Sequence, residues 1–298
     1  MAEPLVSVIV VSWNGRELLA EALRSVQGCD LAGEVIVVDN GSTDGSAEMV
    51  ASRFPSVRLL RNRENVGFGR ANNQGMAVAR GRYFFLLNSD ARMQPGALRA
   101  MVAYAEAHPQ VGVVGARLRF PDGRWQAEGA PFPSLWTEFL RMTGVDRLVA
   151  VGLERGDAPY ETDWVQGAAM LVRREVWEQV GGFDEGFFLY GEEVDWCARI
   201  KAAGWRIAVV PQAEVIHHGG GSVGKVPLER RALVYGGKQQ FFLRHGGRTK
   251  AALFRALVVM TALPKAAYWL MRSRLARGEA RQRARQHAAS YRRLLFGR

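Results

Sequence analysis

Three carboxylates at the start of one predicted helix are the strongest candidates for chemistry in this sequence. Glu192, Glu193 and Asp195 follow the glycine-bearing aromatic loop 181–191. Apolar residues occur three, four and seven positions after Glu193, so this face of the helix should be buried. A carboxylate above a buried face lies near a dry cleft, where its pKa can be tuned for chemistry. Taken alone, the same carboxylates could simply favour the positive end of a helix.

Polar side chains also follow three of the predicted strands. Residues 12–14 end the first strand, residues 39–40 the second, and residues 88–90 a later one. In an open parallel sheet, ligands bind at the carboxyl ends of the strands. Asp39 could accept a hydrogen bond from the imide N–H of uracil or thymine, and Asp90 could hold Mg²⁺ or Mn²⁺ on a diphosphate. Each residue by itself could equally be a turn residue or a helix cap.

A histidine pair could complete such a metal site. His217 and His218 open the Gly-rich segment 217–222, just after a short predicted strand. Imidazole is a good ligand for Mn²⁺, although paired loop histidines can equally be solvated side chains.

The first strand is not followed by GxGxxG, and no Walker A sequence occurs, which disfavours a dinucleotide-binding Rossmann domain and a P-loop NTPase.

The elements that must position these residues alternate between short apolar strands and helices, which predicts βαβ units and a mostly parallel sheet. The predicted strands are 6–12, 34–39, 57–60, 83–87 and 111–115, and the helices are 16–26, one from 46, 69–79 and 95–107. The later chain is less regular. It is predicted to contain a turn at 121–124, a lid-like stretch at 131–160, a strand-like segment at 163–172, a helix at 173–180, short strands at 206–210 and 214–216, and helix from 227.

Charge is concentrated at the end of the chain. Residues 244–298 carry 14 Arg or Lys against one acid, a charge of +13, so the preceding 243 residues carry about −2.

An apolar fraction of 48% is typical of a globular protein and excludes general disorder. Cys29 and Cys197 have no metal-binding or redox spacing, which indicates reduced thiols of a cytoplasmic protein, and we expect no signal peptide.

The basic tail could bind a membrane. Residues 251–271 are apolar but contain Arg255, Pro264 and Lys265, so we do not expect an uninterrupted transmembrane span. Aromatic residues beside arginines suit the headgroup boundary of an anionic membrane, and a solvated or dimer-forming helix is the main alternative. A nucleic-acid arm is disfavoured because the body has no recognisable nucleic-acid fold. Hydrophobic insertion would involve Leu253, Phe254, Val258, Val259 and Trp269.

The ordered set of motifs resembles the family 2 glycosyltransferases of the GT-A fold, especially their bacterial rhamnosyltransferase-like branch. The matching segments are 6–14, 37–46, 65–73, 86–90, 164–168, 181–185, 190–195 and 217–222. The resemblance implies an α/β fold with a Rossmann-like, mostly parallel sheet and a C-terminal helical appendage. The expected division is a catalytic domain at 1–245, with a nucleotide-binding half at 1–115 and an acceptor-binding half at 116–245, and a basic amphipathic helical tail at 246–298.

The resemblance also implies roles for individual residues. Glu193 would be the catalytic base, where the family usually has aspartate. Asp90 and His217, rather than His218, would hold the metal, Mg²⁺ or Mn²⁺, and Asn88 stands where a DxD motif would have its first aspartate. The donor-binding residues would be Ser12, Trp13, Asn14, Asp39, Asn65, Gly67, Arg70, Asn88, Ser89 and Asp90. The acceptor-binding residues would be Trp164, Gln166, Gly167, Tyr190 and Glu192.

The activity implied by the resemblance is an inverting, metal-dependent sugar transfer from a dTDP or UDP donor, with rhamnose as the leading sugar. The acceptor would be a polysaccharide or a polyprenyl-diphosphate-linked saccharide of cell-wall or surface glycan synthesis. The protein would be peripheral on the inner face of the cell membrane, would not bind nucleic acid, and could form a homodimer. A catalytically inactive nucleotide-sugar-binding scaffold is the alternative. A sugar nucleotidylyltransferase is disfavoured because the glycine- and arginine-rich loop after the first strand is absent.

Overall fold

The computed structural model describes residues 4–29, 31–145, 156–219 and 227–296. These residues fall into two compact units. The first lies within 1–132, 156–188 and 192–224, and the second within 133–155, 189–191 and 225–298. The strands are β1 Val6–Ser12, β2 Ala32–Asp39, β3 Arg58–Arg61, β4 Tyr83–Asn88, β5 Ala91–Met93, β6 Val111–Arg119, β7 Gly129–Ala130, β8 Tyr160–Glu161, β9 Trp164–Val165, β10 Ala169–Arg173 and β11 Arg206–His217.

The helices of the described residues alternate with the strands in the first unit and make up nearly all of the second. They are α1 Arg16–Gln27, α2 Ser46–Arg53, α3 Phe68–Val78, α4 Ala97–Ala107, α5 Leu135–Thr143, α6 Arg174–Val180, α7 Glu192–Ala202, α8 Pro227–Leu275 and α9 Gly278–Phe296. The described part of the predicted lid-like stretch, 131–145 and 156–160, contains helix α5, and residues 146–155 lie outside the described residues.

One large sheet organises the first unit, with its strands in the order β3-β2-β1-β4-β10-β6-β11-β5 and with β8 paired to β11. Strands β3, β2, β1 and β4 are parallel, and β6 is parallel to β11. Apolar side chains of these strands are buried against helices in two clusters, as expected when both faces of a sheet are covered. The predicted α/β fold with helices around a largely parallel sheet is confirmed.

The sheet differs from a simple alternation in two places. Strand β10 runs antiparallel between β4 and β6, although its sequence is as apolar as that of its parallel neighbours. The two short strands predicted at 206–210 and 214–216 form one strand, β11. Pro211 interrupts the sequence pattern there, and the pairing of β11 with β6 shifts register between Val210 and Glu214 to absorb the interruption.

The second unit is helical, which confirms the predicted C-terminal helical region. Helix α8 breaks at Gly247, where φ is 73° and ψ is 178°. Phe254 and Val258 are only 0% and 2% exposed, because they lie in the hydrophobic core of this unit. Neither can insert into a membrane from the folded unit, so this part of the insertion expectation is wrong. Leu253, by contrast, is 53% exposed.

Residues before the predicted domain boundary at 245 also belong to this helical unit. The rings of Phe242 and Phe254 have centroids 4.7 Å apart. A truncation after Arg244 would therefore pass through the core of the unit. A catalytic domain ending at 245 stays a prediction.

Part of α8 is long and apolar enough to cross a membrane, judged by its length and composition. The stretch is Arg231–Leu275, and its most apolar 18-residue window has a mean hydropathy of 1.3. Only 28% of that window is buried within the protein. Core helices of soluble proteins can pass the same test, so we describe α8 only as a candidate span.

Candidate functional site

Two buried oxygens lie side by side at the carboxyl ends of β1 and β2. The parallel register pairs Ser12 with Asp39, so their side chains lie on the same face of the sheet. Asp39 Oδ2 accepts a hydrogen bond from the Ser42 backbone N–H at 3.2 Å. Ser12 Oγ and Asp39 Oδ1 are buried without a hydrogen-bond partner among the described residues. Since an unsatisfied buried polar atom costs about 1–3 kcal/mol, a ligand N–H at this position would be favoured.

The loop after β3 is held at the same sheet edge by one asparagine. Asn40 Nδ2 donates to Asn65 Oδ1 at 2.8 Å, and Asn40 Oδ1 accepts from Val66 N at 3.1 Å. Gly67 has φ 92°, and a Cβ atom there would lie 2.8 Å from the Phe188 carbonyl oxygen. The structure thus brings Asn65 and Gly67 to the end of β2, and glycine is required at position 67.

The other residues predicted to bind a donor occupy the surroundings of this edge. Asn14 adopts φ 52°, and its Oδ1 accepts from the Thr43 backbone N–H at 2.8 Å, which ties the end of β1 to the loop after β2. Trp13 is half-buried directly after β1. Arg70 lies on α3, and its Nε is 3.4 Å from a carboxylate oxygen of Glu185. Their roles in donor binding stay predictions.

A carboxylate and an imidazole meet where β5 pairs with β11. Asp90 Oδ1 lies 3.3 Å from His217 Nε2, and both side chains are largely buried. The antiparallel register places Ala91 opposite His217, which brings Asp90 to the histidine. His218 is exposed, and its backbone N–H donates to the Asp90 carbonyl oxygen at 3.0 Å. The structure therefore brings His217 rather than His218 to Asp90. Ser89, also buried, precedes them.

A glutamine that the sequence reasoning missed sets the tautomer of this histidine. Gln126 Nε2 donates to the His217 carbonyl oxygen, so Gln126 Oε1 must accept from His217 Nδ1, at 2.9 Å. With the proton on Nδ1, Nε2 presents a lone pair towards Asp90, the tautomer that a metal-ligating histidine needs. Gln126 lies outside every motif and 91 residues before His217. Its contribution depends on a tertiary contact that no local sequence signal reveals.

The donor atoms at this position fit a divalent cation. A carboxylate oxygen and an imidazole nitrogen suit Mn²⁺ or Mg²⁺, with further ligands from water and a diphosphate. Asn88 Nδ2 is 3.3 Å from His217 Nε2, and in the part of the chain that the structure describes the buried Asn88 Oδ1 has no hydrogen-bond partner. Within the described ranges, no group of three or more His, Cys, Asp or Glu side chains could hold a metal. The protein alone would therefore provide an incomplete coordination shell, which suits an ion that binds together with its diphosphate.

Helix α7 places Glu193 near the same sheet edge. A Cβ atom at Gly167 would lie 3.9 Å from Glu193 Cβ, so the backbone before β10 lies against this side chain. The next residue, Ala168, accepts a hydrogen bond from the Asn88 backbone N–H at 3.0 Å. Asn88 in turn contacts His217. A continuous set of contacts thus connects the predicted base with the predicted metal ligands.

The other carboxylates of α7 have different environments. Asp195 Oδ2 accepts from Arg199 Nε at 2.9 Å, an ion pair between residues four positions apart on the helix. The apolar face below Glu193 is fully buried as predicted, but Glu192 is buried more deeply than Glu193. Burial, with repulsion from the Glu193 carboxylate, raises the pKa of Glu192 well above its ordinary 4.5. Burial therefore favours the neutral form of Glu192 over its carboxylate.

The remaining residues predicted to bind an acceptor form hydrogen bonds within the protein or lie in a loop. Trp164 Nε1 donates to the Pro131 carbonyl oxygen at 3.2 Å. Gln166 Nε2 donates to the carbonyl oxygen of Ala127. Tyr190 has φ 70° and belongs to the second unit. A positive φ is uncommon for an aromatic residue and marks this loop as tightly constrained. Acceptor binding by these residues stays a prediction.

The sequence matches two family models and several curated relatives. Residues 7–162 match glycosyl transferase family 2, and residues 147–219 match the N-terminal domain of galactosyltransferase. The N-acetylglucosaminyl-diphospho-decaprenol L-rhamnosyltransferase of Mycobacterium tuberculosis is 33% identical over 277 residues, covering 83% of this chain and 86% of that protein. Rhamnosyltransferase WbbL of Escherichia coli is 26% identical over 226 residues, covering 72% of this chain and 83% of that protein.

Solved structures show the same fold. The mannosyltransferase PcManGT from Pyrobaculum calidifontis, in complex with GDP-Man and Mn²⁺, has a TM-score of 0.57 and 19% identity, covering 100% of this chain and 89% of that chain. GalNAc-T7 with UDP, GalNAc and Mn²⁺ has a TM-score of 0.56 and 18% identity, covering 72% of this chain and 44% of that chain. These structures are GT-A glycosyltransferases, so the GT-A fold expected from the motifs is confirmed.

The raised pKa of Glu192 predicts a pH dependence of stability. The folded protein holds this proton more tightly than the unfolded chain, so ionisation above pH 4.5 stabilises only the unfolded state. As the pH rises above 4.5, the free energy of unfolding of the native protein should therefore fall by up to about 1.4 kcal/mol per pH unit relative to that of Glu192→Gln. Urea unfolding from pH 4.5 to neutrality measures this difference. Glu21 is exposed on α1, so the free energy of unfolding of Glu21→Gln should change with pH as that of the native protein does. The same pH dependence in Glu192→Gln would contradict a raised pKa of Glu192.

The contact of Gln126 with His217 predicts an effect on metal binding. Replacing Gln126 by Leu removes the acceptor that holds the proton on His217 Nδ1, so the tautomer with a lone pair on Nε2 is no longer fixed. We expect Mn²⁺ affinity to fall about 10- to 100-fold, measured by titration with electron paramagnetic resonance. Gln110→Leu, an exposed change before β6, is the control. Unchanged Mn²⁺ affinity in Gln126→Leu would remove Gln126 from the site.

Proposed function

Because this glycosyltransferase belongs to glycosyl transferase family 2, we propose that it transfers a sugar, with L-rhamnose as the leading candidate, from a nucleoside-diphosphate donor to a lipid-linked or polysaccharide acceptor. The choice of sugar and acceptor is based on the M. tuberculosis relative, whose name describes L-rhamnosyl transfer to N-acetylglucosaminyl-diphospho-decaprenol. The product would enter cell-wall or surface glycan synthesis.

The observation that carries this proposal is the contact between Asp90 and His217. Their facing atoms are 3.3 Å apart, and Gln126 directs the histidine lone pair towards the carboxylate. A diphosphate bound here through Mg²⁺ or Mn²⁺ would have its nucleoside on the side of β1 and β2. The buried Asp39 Oδ1 there could accept the N3–H of thymine or uracil, which supports a dTDP or UDP donor.

The proposed chemistry is a single displacement with inversion. The acceptor hydroxyl oxygen bonds to the anomeric carbon while the bond from that carbon to the diphosphate oxygen breaks. Glu193 accepts the hydroxyl proton as general base, and the nucleoside diphosphate leaves. When bound, the divalent cation neutralises charge on the diphosphate. No enzyme nucleophile is required, because one carboxylate and one cation-binding pair are sufficient for this reaction.

A donor panel with two substitutions tests the proposal. With Mn²⁺ or Mg²⁺ and a lipid-linked acceptor, we expect nucleoside diphosphate release from dTDP- or UDP-sugars and not from GDP-sugars. Glu193→Gln should lower the rate by about 10²–10⁴ while donor binding is kept, since only the base is lost. Asp90→Asn should instead weaken metal-dependent donor binding. Glu178→Gln, exposed on α6, is the matched carboxylate control.

Each contrary result has a defined meaning. Near-native turnover by Glu193→Gln together with loss in Glu192→Gln would move the base to Glu192. Preference for GDP-sugars would show that Asp39 does not read the base as proposed. Binding of donors without turnover on any acceptor would contradict the transferase proposal and favour the nucleotide-sugar-binding scaffold.

We also propose that the second unit attaches to an anionic membrane surface, on the inner face of the cell membrane. At about 100° per residue, Leu253, Met260, Met271 and Leu275 lie within about 60° of each other on α8. Each of these four side chains is more than half exposed. Basic residues follow at 272–277, and the segment 244–298 carries +13. An apolar helix face beside cations is typical of a peripheral membrane surface.

Charge removal tests the membrane attachment. Arg272→Gln/Arg274→Gln should weaken binding to vesicles containing an anionic lipid by about 2 kcal/mol, roughly thirtyfold, and added salt should weaken it further. Arg24→Gln/Arg53→Gln removes two exposed charges from α1 and α2 and should have little effect. Turnover on a soluble acceptor should be unaffected. A protein that ignores vesicles but dimerises in solution would assign the exposed face of α8 to a dimer interface instead.

A further inference from the structure

The second unit contains a cavity that the proposed transfer reaction does not use. It has a volume of about 190 Å³ and lies among residues of α5, α8 and α9. At about 30 Å³ per water molecule, this volume equals about six waters. The cavity could therefore hold a phosphate group with part of its ester substituent.

Positive charge dominates the lining. Arg141, Arg231 and Lys265 line the cavity, and none of its described lining residues is Asp or Glu. The neighbouring acid is Glu138, which is buried and lies 2.6 Å from Lys238 and 3.2 Å from Arg141. Lys238 and Arg141 thus share this carboxylate, and no carboxylate of the described residues pairs with Arg231 or Lys265. An anion in the cavity would relieve their mutual repulsion, so the charge distribution favours an anionic ligand.

The cations are held in place by contacts that use few of their N–H groups. Arg231 lies with its guanidinium carbon 4.2 Å from the centre of the Tyr291 ring, and one nitrogen donates to Ser290 Oγ at 3.4 Å. Lys265 Nζ donates to the Met142 carbonyl oxygen. A guanidinium has five N–H donors and an ammonium three, so donors remain for a ligand. Side chains that are already positioned lose less entropy when they bind.

The rest of the lining adds a hydroxyl donor and an apolar wall. Burial, and then the charge of Glu138, raise the pKa of Tyr235 above its ordinary 10.0. The phenol therefore stays protonated at neutral pH and can donate. Val258, Ala262 and Leu294 line the cavity as well. A ligand with a phosphate at one end and an apolar or glycerol portion at the other would match both parts.

We propose that this cavity binds the phosphate group of a phosphate ester, either the headgroup of an anionic lipid or a soluble ester. Two arginine forks and a lysine match the oxygens of phosphate, which accept charge-assisted hydrogen bonds. Such a site binds one phosphate group specifically, in contrast to the general attraction of a basic tail to a membrane. It does not depend on the transferase proposal, because no residue of the donor or acceptor site is involved.

The first experiment measures soluble ligands with the full-length protein. Glycerol 3-phosphate and inorganic phosphate are titrated by calorimetry in EDTA, so that metal-dependent binding at Asp90 does not contribute. Loss of a charged hydrogen-bonding partner typically costs about tenfold or more in affinity. Arg231→Gln/Lys265→Gln should therefore raise the Kd about a hundredfold. The control Arg285→Gln/Arg292→Gln removes two positive charges from exposed positions of α9. This variant should bind both ligands with the Kd of the native protein.

The second experiment uses phosphatidylcholine vesicles with and without phosphatidylglycerol. If a lipid headgroup is the ligand, Arg231→Gln/Lys265→Gln should bind the anionic vesicles much more weakly than the control Arg285→Gln/Arg292→Gln does. Binding of glycerol 3-phosphate without this vesicle effect would identify a soluble ester. The proposal would be overturned if the two double variants lost equal affinity. It would also be overturned if Arg231→Gln/Lys265→Gln changed neither the binding of soluble phosphates nor the binding of vesicles.

A folding control keeps the result interpretable. Arg231 contacts Tyr291 and Ser290, so its loss could perturb the unit by itself. Circular dichroism and thermal unfolding of each variant detect such a change. If the double variant is unfolded, Arg141→Gln and Lys265→Gln are tested singly, since both side chains reach the solvent-exposed surface. Each should still raise the Kd about tenfold, and unchanged affinity in both would overturn the proposal.

Discussion

The register of three parallel strands is the constraint on which the candidate site depends. β1 lies between β2 and β4, with Ser12 opposite Asp39 and Val11 opposite Asn88. A shift of one residue would turn these polar side chains to the other face of the sheet. The register is fixed because the same strands pack their apolar side chains into buried clusters on both faces, and a slip would disrupt the packing of both clusters. The core thus determines where the polar strand ends meet.

Loops extend this edge without adding regular structure. Asn40 is buried at the end of β2 and bonds to the loop containing Asn65 and Val66. Gly67 then permits the close approach of residue 188, which a side chain would block. On the other side, β5 and β11 bring Asp90 and His217 together. Two kinds of interaction therefore build the site, strand register in the centre and amide hydrogen bonds at the periphery.

Sequence patterns predicted those parts of the molecule that follow from local periodicity. Strands β1, β2 and β4 are continuous apolar runs that end in polar residues, and the buried face of α7 follows from the spacing after Glu193. Contacts between distant segments were not predictable in this way. Gln126 carries no local signal for its contact with His217, and β5 is only three residues long. Phe254 has the composition of a membrane-inserting residue but packs inside a helical unit that no short pattern specifies.

The antiparallel position of β10 has a consequence for the synthesis of the chain. β10 occupies the middle of the sheet, yet its last residue, Arg173, follows the end of β4 by 85 residues. Until that segment leaves the ribosome, the apolar β4 has an unpaired edge next to β1 and β2. At about 5–20 residues per second, the exposure lasts about 4–17 s. An unpaired apolar edge strand is a template for aggregation. The nascent chain should therefore need chaperone protection most during this interval, well before the carboxyl-terminal helices are made.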